Sequence, residues 1–249
     1  MRFILSFLVC LVCSPVFGAA HALMGAQFNP LRTEGATLKV WTSPSSPLNT
    51  LNGSGISELY DLSGNGNRLT NATAANQPAL TNSNGRIVAY FDGVDDFLKT
   101  ATFPLVQPTS VFMGLKQVTW TSADRIFDGY NADSPRVYQT VSEPTLRFYD
   151  GTSASSSLST VSMGQFRVLS LLANGAASQL SDGLISTAVG SITKNMDGIT
   201  IASAASALTG LGNIETSDIL VFQGAPSEAW QRYNILGLAR LNGINPFAP

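Results

Sequence analysis

Histidine and cysteine are almost missing from this chain of 249 residues. The one histidine is His21 and the two cysteines are Cys10 and Cys13, all inside residues 1–22. A chain cleaved after Ala22 has neither residue. That excludes Ser-His and Cys-His nucleophiles, histidine general bases, structural zinc and a disulfide framework. Charge is scarce as well, at 12% of residues with a net charge of -2, and the lysines and arginines are scattered. No basic field exists for nucleic acid. Neither Gly-x-Gly-x-x-Gly nor Gly-x-x-x-x-Gly-Lys-Ser occurs, so a nucleotide cofactor has no seat. The glutamates Glu34, Glu58, Glu143, Glu215 and Glu228 are isolated. The nearest approach to a paired-carboxylate strand is Glu215-Thr-Ser-Asp218, whose odd spacing puts the two on opposite faces of an extended strand. These absences predict a protein that is not an enzyme.

A long membrane-spanning run is absent too. Phe3 to Val12 is apolar apart from Ser6, well short of the ~20 residues a bilayer requires. With Arg2 before it, Pro15 after it and Ala20-His21-Ala22 as a small-x-small cleavage site, residues 1–22 read as a signal peptide. The alternative is an apolar N-terminal tail that is kept, and it is the one route by which the chain would touch a membrane. Residues 23–35 read as a linker, 36–245 as the folded body and 246–249 as a tail. A body of that length buries a large core without covalent staples.

What is present points one way. Asp61-Leu-Ser-Gly-Asn-Gly-Asn67, Ala74-Ala-Asn-Gln-Pro-Ala79 and Arg86-Ile-Val-Ala-Tyr-Phe-Asp-Gly-Val-Asp-Asp-Phe-Leu98 follow one another in order. Near the C-terminus, Leu238-Ala-Arg-Leu-Asn-Gly-Ile244 closes a helical pattern that opens at Pro226. Together these segments resemble the concanavalin A-like lectin/glucanase, laminin-G-like domains of secreted bacterial proteins and phage virions. The resemblance implies an all-β antiparallel sandwich of jelly-roll type with one C-terminal helix packed on it. It also implies an extracellular or virion-surface location. Two roles stay open: a non-catalytic carbohydrate-binding or adhesion module, and a purely structural virion or envelope protein. The expected partners are a surface glycan or other virion or envelope proteins, with an oligomer open. A glycoside hydrolase or lyase ranks last.

Two groups of residues are candidates for a site. Asp92, Asp95 and Asp96 crowd one turn. Calcium, the one cofactor in view, is held by carboxylate and backbone oxygens of this kind, while the same residues also build an ordinary acidic turn. The second group lies on a hairpin, Arg136–Val141 with Thr145–Asp150. A loop at Ser142–Thr145 pairs Tyr138 with Tyr149 and Thr140 with Arg147. Strand alternation then sends Val141, Leu146 and Phe148 inward and leaves Tyr138, Tyr149, Thr140 and Arg147 outside. An aromatic pair beside a guanidinium suits a sugar ring, and Trp120, Tyr130 and Asn131 would extend the platform. A cross-strand tyrosine pair also stabilises a sheet without any ligand.

Overall fold

The computed structural model describes residues 28–31, 35–131, 134–150, 154–158, 161–205 and 209–246. Residues 1–22, which carry the expected signal peptide, lie outside them. In chain order the strands begin with β1 (Ala36–Thr42), β2 (Thr50–Asn52), β3 (Gly55–Leu59), β4 (Leu69–Thr70), β5 (Ala79–Ser83) and β6 (Arg86–Asp92). Next come β7 (Leu98–Lys99), β8 (Thr109–Gln117), β9 (Arg125–Asp128), β10 (Arg136–Gln139), β11 (Leu146–Tyr149) and β12 (Ala154–Leu158). The last are β13 (Arg167–Ala173), β14 (Gln179–Asp182), β15 (Ile185–Ala188), β16 (Thr200–Ile201) and β17 (Asn213–Gly224), followed by one helix, α1 (Glu228–Leu241).

The fold is all-β and antiparallel, with every named strand joined in one continuous sheet. It has two arms. In the first, β17 lies between β8 on one side and β1 and β6 on the other, and β13, β14 and β15 extend beyond β8. In the second, the ladder runs β4–β7–β16–β9–β10–β11–β12, and β3 and β5 connect it back to β6. The outermost strands β12 and β15 approach each other, so the body is nearly barrel-shaped.

Alternation explains the core. Val111, Met113 and Leu115 of β8, Leu169 and Leu171 of β13, and Val137, Leu146 and Phe148 of the hairpin all enter one buried cluster shared by both arms. The opposite face of β8 and β17 sends Phe112, Leu220 and Phe222 outward, where α1 covers them with Trp230, Ile235 and Leu238. The Trp230 ring meets Phe222 edge-on at 4.5 Å, a pairing that adds about 0.5–1.5 kcal/mol beyond its buried area. Ser227 caps the helix by accepting the Trp230 N–H, and Asn242 ends it.

The glycine-rich turn is a structural joint. Gly64 and Gly66 take positive φ, and the Asp61 carboxylate accepts N–H groups from Trp41, Ser63 and Asn67. Asn65 and Asn67 donate to the Leu38 and Lys39 carbonyls, so the turn is tied to β1. Phe28, inside the expected linker, packs its ring 5.4 Å from Tyr233 of α1.

Candidate functional site

The hairpin forms, in a different register from the one expected. Tyr138 lies opposite Arg147 and Arg136 opposite Tyr149, so the two tyrosines are diagonal neighbours and not a direct pair. The cause is a longer loop, 140–145. Thr140 is drawn inward: its carbonyl accepts the Trp120 indole N–H at 2.8 Å, and its hydroxyl accepts the Ser142 N–H at 3.2 Å. Val141, expected inside, is instead 87% exposed. A slip of two residues preserves the faces, so Tyr138, Tyr149 and Arg147 still share the outer side while Leu146 and Phe148 are buried.

The neighbouring strand completes this face. β9 places Arg125 opposite Tyr138 and Asp128 opposite Arg136. Two cross-strand rows result, Arg125–Tyr138–Arg147 and Asp128–Arg136–Tyr149. The Arg125 guanidinium sits 5.2 Å over the Tyr138 ring, and that of Arg136 sits 3.8 Å over Tyr149. Each tyrosine is thus braced by a cation on one side. The hydroxyls of Tyr138 and Tyr149 and the guanidinium of Arg147 make no hydrogen bond among the described residues, and Arg147 is exposed.

Burial shapes the electrostatics of this face. Burial pushes the Asp128 carboxyl up to about 6, against the pull of Arg136 and Arg125, and burial also lowers the Arg125 pKa. Both members of the Arg125–Asp128 pair, 3.9 Å apart, are therefore moved toward neutrality by desolvation. Asp124 beside them is likewise raised to about 6 by burial. Trp120 is half-buried against the core and anchors the hairpin loop. Tyr130 lies under Lys99 at 5.8 Å, and the Asn131 side chain donates to Asp197. Arg125, Arg136 and Asp128 were not anticipated. The alternation of Arg136-Val-Tyr138 carried a signal for Arg136, whereas Arg125 and Asp128 join only through the β9 pairing.

Asp92, Asp95 and Asp96 do converge, with one oxygen from each lying within 4.8 Å of the others. Asp96 accepts the Asp92 N–H at 3.1 Å and Asp92 accepts the Val94 N–H at 2.8 Å. These bonds are turn construction. Burial raises Asp96 to about 6, with Asp92 and Asp95 adding to the push. A calcium ion would suit the oxygen donor set and would remove that mutual repulsion.

A second recess was invisible in the sequence. Thr216 opposes Leu115 and Ile219 opposes Met113, so β17 carries one extra residue at this point, a β-bulge. Met113 and Leu115 point into the core, and a Cβ on Gly114 would point the other way, where it would collide with the Ser217 hydroxyl. Ser217 therefore lies on the helix side. So does Asp218, which takes hydrogen bonds from the Trp41 indole, Asn242 and Ser43. Glu215 is on that side as well, paired at 3.0 Å with Lys116, whose ammonium lies near Phe166. The expectation that Glu215 and Asp218 sit on opposite faces is corrected, because the bulge changes the parity of the strand. Asp218 lines a cleft of about 720 Å³ together with Trp41, Ser43, Ser45, Asn84, Arg86 and Leu241.

No protein-family model matches the chain, and no curated protein is similar to it in sequence. Solved structures are similar in fold. Domain 4 of an extracellular GH43 arabinanase from Geobacillus stearothermophilus, solved in complex with arabinotriose, aligns at TM-score 0.59 and 12% identity, over 81% of this chain and 99% of that domain. Trypanosoma rangeli sialidase with sialic acid aligns at TM-score 0.56 and 9% identity over 91% of this chain, which spans only 39% of the sialidase. A structure of botulinum neurotoxin type C, whose cell entry depends on two ganglioside molecules, aligns at TM-score 0.55 and 11% identity over 81% of this chain and 51% of that one. At these identities the likeness is one of fold.

The expectation that the chain is not an enzyme is corrected here. The fold recurs inside two glycoside hydrolases, a sialidase and an arabinanase. The want of histidine and cysteine beyond residue 22 therefore bears on particular nucleophiles and not on glycan chemistry as a whole, and the bulge removes the geometric objection to Glu215 and Asp218.

Proposed function

We propose that this protein is a glycan-binding module of concanavalin A-like, jelly-roll sandwich architecture, and that the outer face of β9, β10 and β11 is its ligand platform. One observation carries the reading: Tyr138, Tyr149 and Arg147 share a solvent face with polar ends that no described residue engages, while Arg125 and Arg136 brace the rings. Sugar CH faces stack on such rings and hydroxyls take the free phenol and guanidinium donors. Fold neighbours solved with arabinotriose or tied to gangliosides support the same class. Export through residues 1–22 belongs to the proposal, since it brings such a module to extracellular glycan.

The test is affinity electrophoresis of the full chain through gels cast with plant and bacterial polysaccharides. Retardation is expected, with Tyr138→Ala and Tyr149→Ala each weakening it about tenfold while the melting temperature hardly moves. Unchanged retardation in both variants would place binding elsewhere.

A second reading is favoured by the bulge. Glu215 and Asp218 on one face, with burial raising the Asp218 pKa, are carboxylates of the type that glycoside cleavage uses. Reducing-end release from the same polysaccharides, lost in Asp218→Asn and in Glu215→Gln, would establish it; no release would leave binding alone.

A further inference from the structure

The cleft beside the bulge is built from distant segments: the end of β1 with its following loop, the β5–β6 turn and the C-terminal end of α1, with Leu62, and Asp218 of β17, completing the wall. It lies on the helix side of the first arm, so the buried core separates it from the tyrosine face. Its walls are fixed in advance. Trp41 is held at both ends, its backbone N–H by Asp61 at 3.0 Å and its indole N–H by Asp218 at 3.3 Å. Arg86 gives its Nε to the Asn242 carbonyl and lays its guanidinium 4.1 Å over the Phe166 ring. The two terminal nitrogens of Arg86 find no hydrogen-bond partner among the described residues.

The lining chemistry is mixed in a particular way. Trp41, Leu62, Ile87 and Leu241 offer apolar surface, and Ile87 and Leu241 are exposed, so the apolar rim is open to solvent. Arg86, Asn84 and Ser45 offer donors and acceptors between those apolar patches. The Asp218 carboxyl at the back accepts from Trp41, Asn242 and Ser43 and so orients the wall. A cleft of about 720 Å³ falls within the roughly 300–1,000 Å³ of small-molecule sites. Apolar patches alternating with hydrogen-bonding groups fit a ring with CH faces and hydroxyl edges. A rigid indole and a stacked guanidinium keep the ordering cost of binding low.

We infer that this cleft is a second ligand site, which takes one hydroxylated ring such as the terminal pyranose or furanose of a glycan. It goes beyond the tyrosine platform and does not use it. With both sites filled, a single chain holds two glycan ends on opposite sides of its core, and the second attachment gains from the first by effective concentration.

Titration of the ¹⁵N-labelled full chain with glucose, galactose, N-acetylglucosamine, mannose and arabinose tests this. At least one sugar should give saturable shifts at the Trp41 indole N–H and at Gly85 and Gly243. Arg86→Gln should weaken that binding about tenfold or more, the cost of a lost charged donor. Ser45→Trp, which fills the cleft from its exposed rim without touching the Arg86 stack, should abolish it. Tyr138→Ala/Tyr149→Ala should leave it intact, which separates this site from the platform. Shifts that survive Ser45→Trp with the fold preserved, or no saturable shift with any of the sugars, would overturn the inference.

Discussion

Asp128 shows how a single residue registers the conflict between a ligand face and a stable fold. Its carboxyl is 1% exposed and lies near two arginines, yet burial prevails and its pKa rises to about 6. Asp96 and Asp124 are raised to about the same value by the same cause. For a carboxyl whose folded pKa exceeds its unfolded value, the folded state holds more protons between the two values, so stability falls as pH rises through that window. The stabilising contribution is complete below about pH 4 and gone above about pH 6. These three groups therefore predict a melting temperature several degrees higher at pH 5 than at pH 7.5. Asp128→Asn should remove a share of that slope. A melting temperature that stays flat from pH 5 to 7.5, in the native chain and in Asp128→Asn alike, would mean that burial does not govern these carboxyls.

Among elements, β17 decides most about the sites. Its bulge turns Ser217 and Asp218 to the helix side, and Gly114 across from it is bare because the Ser217 hydroxyl occupies the space a methyl would need. Gly114→Ala should cost about 1–3 kcal/mol by urea denaturation, the usual range for overpacking. Adding Ser217→Gly should recover part of the loss, whereas purely additive costs would put the clash elsewhere. The sequence made the regular elements legible and hid this one. The alternating strand Arg86–Asp92, the apolar run Arg167–Ala173 and the capped helix Glu228–Leu241 announce themselves by pattern. The serine-rich Ala154–Leu158 and the two-residue Thr200–Ile201 do not, because partners outside the segment stabilise them. A bulge leaves no mark at all, since one extra residue changes parity without changing composition.

At the scale of the whole molecule, one continuous sheet folds both arms around a shared core and leaves two different outer surfaces. Helix α1 covers one and ends in the cleft, and the other carries the tyrosine–arginine rows. Faces were readable from the sequence because side chains alternate along strands, so Tyr138, Arg147 and Tyr149 could be grouped. Their partners were not, because Arg125 and Asp128 come from a strand whose place in the ladder only the tertiary fold sets. Trp41 and Arg86 meet for the same reason, from segments that no local pattern connects.

The central claim is that the body binds glycan. Its most direct test is an array of plant, bacterial and animal glycans probed with the full chain at micromolar concentration, in parallel with Tyr138→Ala/Tyr149→Ala. A related group of glycans should bind, with binding greatly reduced in the double variant. A folded chain that binds no glycan on the array, or a double variant that binds as the native chain does, would contradict it.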